Sequence, residues 1–119
     1  MSQNEIEVVE LTIEEAKKMV LMGDRVRRLE SNKDFKKIVL EEYFSEEAAR
    51  LAHLYTDPVM TDEQKTMIHN DLVGLGAFKR FLRYKKMQGD QAKQELVEYQ
   101  ETLEELREEE DQDGFGGND

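Results

Sequence analysis

The chain has 119 residues, 38% of them apolar and 38% charged, with a net charge of −11 and no cysteine. An ordinary domain of this size is nearer half apolar and a quarter charged, so the length supports one domain with a thin core. Disulfides, thiolate nucleophiles and cysteine metal sites are excluded, and the longest apolar stretch, Met19 to Met22, is far too short to cross a bilayer.

Residues 1–11 show no clear period and are expected to form a flexible arm. Met1 to Glu10 lack the basic start and apolar run of a secretory signal. At Thr12 a pattern begins: Thr12 and Glu15 have capping-box spacing, and Ile13, Ala16, Val20, Val26 and Leu29 recur near helical intervals. Gly23 weakens the middle of this helix and suggests a kink or close contact. Ser31-Asn32 ends it and starts a second helix, whose apolar face is Phe35, Ile38, Val39, Tyr43 and Phe44. Ser45 reads as the N-cap of a third, packed through Ala48, Ala49, Leu51, Ala52, Leu54 and Tyr55. Pro58 marks the main break.

Thr61 and Gln64 repeat the capping-box spacing and open the last helical region, with Met67, Ile68, Leu72, Leu75, Phe78 and Leu82 as its stripe. The stripe fades from Arg83 to Gly89. It resumes as Ala92, Leu96, Tyr99, Leu103 and Leu106, in the four-three-four-three steps of a coiled-coil seam. The expected class is all-α: a bundle of three shorter helices plus a long C-terminal helix with a coiled-coil-like seam and a disordered acidic tail. The expected divisions are a flexible arm at 1–11, a helical body at 12–58, a long helical hairpin or extended helix at 61–111, and the tail at 112–119.

Charge is unevenly spread, with net values of −4 over residues 1–60, +3 over 61–89 and −10 over 90–119. An acidic field of this kind repels nucleic-acid backbone and membrane surfaces and favours basic partners. The seam Ala92, Leu96, Tyr99, Leu103 and Leu106 is therefore the expected partner-binding face, for a basic partner helix or a second copy; the bland alternative packs it on the chain's own first helices. Parallel self-pairing would crowd its glutamates.

Other patterns weigh less. Lys79, Arg80, Arg83, Lys85 and Lys86 alternate with Phe78, Phe81 and Tyr84, as on a nucleic-acid surface. The same spacing also describes a plain amphipathic helix, so direct nucleic-acid binding is disfavoured. Glu109, Asp111, Asp113 and Gly114 match the start of an EF-hand loop, but the chain has no acid at the twelfth position. His53 and His69 lack metal-site spacing. Ser31 and Ser45 read as boundaries, and the carboxylates form solvated rows in which two pKa values are not driven apart. No catalytic constellation emerges. The expectation is a non-enzymatic protein without metal or cofactor.

Gly23 to Leu29, Asn32 to Ile38, Tyr43 to Ala48, Asp57-Pro58 and Phe78 to Leu82 together resemble small helical proteins of tailed bacteriophages associated with head or virion morphogenesis. The resemblance spans roughly residues 12–106, is structural in character, and brings no catalytic residues. It implies a virion assembly factor or minor structural component, located in the host cytoplasm or incorporated in the virion. The alternative expectation is an acidic inhibitor that mimics nucleic acid and blocks a host DNA-binding protein.

Overall fold

The computed structural model describes residues 2–116, and every regular element among them is helical. Helix α1 is Ser2–Ser31. Helix α2 is a continuous helical run over 33–55, made of an α turn Lys33–Phe35, a π-helical stretch Lys36–Glu47 and an α segment Ala48–Tyr55. Helix α3 is Asp62–Gly116. The all-α expectation with a long last helix is met.

Local chemistry sets the boundaries. The Asn32 side chain accepts hydrogen bonds from the backbone N–H groups of Asp34 and Phe35, both at 3.0 Å, and so caps α2. Such a cap contributes about 1 kcal/mol. The capping box at α3 is formed in both directions: Thr61 N–H donates to Gln64 Oε1 at 3.0 Å, and Gln64 N–H donates to Thr61 Oγ1 at 3.1 Å. Between these two helices, Asp57 and Pro58 lie in the break.

Two expected starts differ. The helix already runs from Ser2 through the segment read as an arm, and the Thr12 hydroxyl donates to the Val8 carbonyl at 2.8 Å instead of capping a terminus. The physical reason is that Ile6 and Val9 extend the Ile13, Ala16 and Val20 spacing, so residues before Thr12 have a face to bury. Ser45 caps nothing, because it lies inside the π-helical stretch. There the wider turn brings residues i+4 and i+5 to either side of residue i. Lys37 accordingly meets Glu41 at 3.3 Å and Glu42 at 3.4 Å. Hydrogen bonds to Glu41 and Glu42, with the two negative charges, hold the Lys37 ammonium pKa above its ordinary value.

α3 is unbroken through Gly89 and passes the 111 boundary to Gly116; residues 117–119 of the expected tail lie outside the described residues.

The fold divides into two compact units. The first comprises residues up to Asp24 together with those from Lys86 onward; the second is Arg25–Lys85. In the first, α1 and α3 run antiparallel, since Asp24 pairs with Lys93 and Glu10 with Arg107. Ile6, Ile13, Ala16, Gly23, Gly89 and Ala92 are buried there. A Cβ on Gly89 would sit 3.1 Å from the Met19 carbonyl oxygen and 3.2 Å from Gly23 Cα, so backbone meets backbone at this crossing. In the second unit, Val26, Leu51, Ile68, Leu75 and Leu82 form the core. Beside it Phe44 packs edge-on to Phe78 with ring centroids 5.4 Å apart, and Tyr43 lies 5.7 Å from Phe44.

Candidate interaction surface

The five seam residues fall on the first unit and share one side of α3. Ala92 is 1% exposed and belongs to the core. Leu96, Tyr99, Leu103 and Leu106 are half-buried. Part of their cover is the chain's own α1, which is the arrangement the bland alternative described. Two grooves open along the helix pair among the described residues, one on each flank of α1.

The first groove, of about 620 Å³, is lined by Glu7, Glu10, Leu11, Glu14, Leu103 and Arg107, among others. It is acidic at its rim, with Arg107 bonded to Glu10 at 3.2 Å. The second, of about 450 Å³, is almost entirely apolar and is lined by Val8, Val9 and Leu106, with Asn4, Glu5 and Thr102 around them. Val8, at 61% exposure, and the likewise exposed Leu11 stand one turn apart on α1 and link the two grooves. Leu103 and Leu106 thus sit one in each groove, whereas Ala92 is sealed.

Tyr99 donates to the Glu95 carboxylate at 3.2 Å. Burial of the phenol, reinforced by that hydrogen bond and by the charges of Glu95 and Glu98, pushes its pKa upward.

The residues missed from sequence are Asn4, Glu5, Val8 and Val9, because they lay in the segment read as an arm. Ile6 and Val9 stand seven and four residues before Ile13, and that spacing was the signal available.

Charge follows the same division. The first unit contains 5 basic and 18 acidic residues, net −13; the second contains 12 and 10, net +2. On the second unit the aromatic-basic segment is split by burial. Phe78 is half-buried against Phe44, with Lys79 Nζ 5.5 Å from the Phe44 ring centre. Phe81 and Tyr84 are 51% and 50% exposed, and Lys85 Nζ lies 5.6 Å and 5.9 Å from their ring centres. Lys86 belongs to the first unit.

Among the described residues no group of three or more metal-binding side chains converges, and no helix is long and apolar enough to cross a membrane. No protein-family model matches the chain, and neither a curated protein nor a solved structure matches it.

Proposed function

We propose that this chain is a non-catalytic protein-interaction module whose acidic unit receives a basic, partly apolar segment of a protein partner. One observation carries the reading: an apolar groove lined by Val8, Val9 and Leu106 opens on a helix pair that also bears many exposed carboxylates. Apolar contact supplies affinity at the centre of such a surface, and charge at its rim supplies partner choice and encounter rate. A virion-assembly or minor structural role is supported by the phage resemblance alone. A pure nucleic-acid mimic would use the acids and would give Val8 no part.

The test is fluorescence anisotropy with a labelled synthetic helix carrying Lys and Arg on one face and two Phe residues on the other. The native chain binds it. Val8→Asp weakens binding by at least about tenfold, since a central apolar contact is lost. Raising the salt to about 0.3 M also weakens binding, by screening the exposed acids. Binding indifferent to Val8→Asp would remove the groove from the account.

A further inference from the structure

The groove needs an occupant that is apolar at its tip and cationic around it, and this chain presents such a feature itself. Phe81 and Tyr84 are spaced three apart on α3, so they share a side of the helix, and both are half-exposed. Aromatic side chains of this kind dominate the energetics of protein interfaces. Exposed Arg80 and Arg83 flank the pair, and Lys85 lies across both rings. We propose that the segment docking into the Val8, Val9 and Leu106 groove is the Phe81–Tyr84 edge of a second copy of this chain.

The proposal rests on the groove's being a docking site, as argued above, and adds the identity of what fills it. Charge complementarity is the main support, because the unit bearing the groove is at −13 and the unit bearing the aromatic edge is at +2. Glu5, which lines the groove, suits Arg80 or Arg83 at the rim. Two copies at −11 each repel at long range. At physiological ionic strength that repulsion is screened beyond about 8 Å, so the charges at the contact decide the outcome. Edge and groove are different surfaces, so the contact is heterologous and repeats head to tail into a ring or an open chain.

Sedimentation velocity at physiological salt tests this with the full chain and two variants, each first checked for native helicity. Val8→Asp closes the groove and leaves the edge; Phe81→Ala with Tyr84→Ala removes the edge and leaves the groove. Should that double variant lose helicity, Arg80→Glu with Arg83→Glu takes its place at two exposed positions. The native chain is expected to rise above 14.0 kDa with concentration. Each variant alone is expected to self-associate at least about tenfold more weakly. An equimolar mixture of the two should restore association but stop at a dimer, because only one intact pairing remains. A native chain that stays monomeric throughout overturns the proposal, as does a mixture no more associated than its components. If the chain is monomeric yet still binds the synthetic helix through Val8, the groove stands and only the second copy falls. If neither binding occurs, both fall.

Discussion

In the first unit the helices touch through Gly23 and Gly89, backbone on backbone, whereas the second unit spaces its helices with Phe44, Phe78 and a row of leucines. At that crossing the first unit has few apolar atoms to remove and little tolerance for adding any. The second has the opposite sensitivity. A chain poor in apolar residues can thus hold helices together either by shortening the distance between them or by concentrating bulk where they stand apart. Away from that crossing, toward the start of α1, the grooves open along its two flanks beside Leu103 and Leu106.

The largest effect should come from taking bulk out of the second unit. Leu75 is buried, and Leu75→Ala is expected to cost about 3 kcal/mol in urea unfolding. A loss below about 1 kcal/mol would mean the site collapses around the gap. Adding one methyl to the first unit comes next. Gly89→Ala gains up to about 1 kcal/mol of helix propensity but forces backbone atoms apart, for a net loss of about 1–2 kcal/mol. A raised melting temperature would contradict the close crossing. The control sharpens the contrast, because a Cβ on Gly74 meets nothing within 4 Å. Gly74→Ala should stabilise the chain by about 0.5–1 kcal/mol.

Smaller still is the ion pair between helices. Arg107 and Glu10 are both solvent-exposed, so Glu10→Gln should change stability by less than about 0.5 kcal/mol, and less again in high salt. Finally, Tyr99 should ionise at higher pH than a free tyrosine in an ultraviolet titration, and Glu95→Gln should bring it down. Its raised folded-state pKa means that folding favours the neutral phenol. The associated stability is complete below the unfolded value and is lost as pH rises through the folded one. A Tyr99 titration unmoved by Glu95→Gln would show that burial, with the charge of Glu98, sets the shift.

How far the sequence could be read depended on how local each cause was. The Thr61–Gln64 box lies within four residues and formed as its spacing suggested, and Asn32, read only as a helix boundary, caps the second helix. Thr12 with Glu15 has the same spacing and formed no cap, because Ile6 and Val9 had already carried the helix upstream. Local pattern marks where a helix can begin; packing decides whether it does. The seam Ala92, Leu96, Tyr99, Leu103 and Leu106 could be read as a face requiring cover, but periodicity does not say which helix supplies it. Gly89 was the hardest position. Its helical cost is a property of the residue, whereas the benefit comes from Gly23, distant in sequence and brought alongside only by the fold.

The contact between Gly23 and Gly89 also acts as a keyway. Sliding the antiparallel pair by one heptad would bring Gly23 opposite Leu96 and Glu30 opposite Gly89, so a side chain would stand where the notch allows none. Heptad-like spacing alone would tolerate such a slip, since one apolar position is much like the next. Here a single missing Cβ fixes the alignment, and with it which residues line the two grooves.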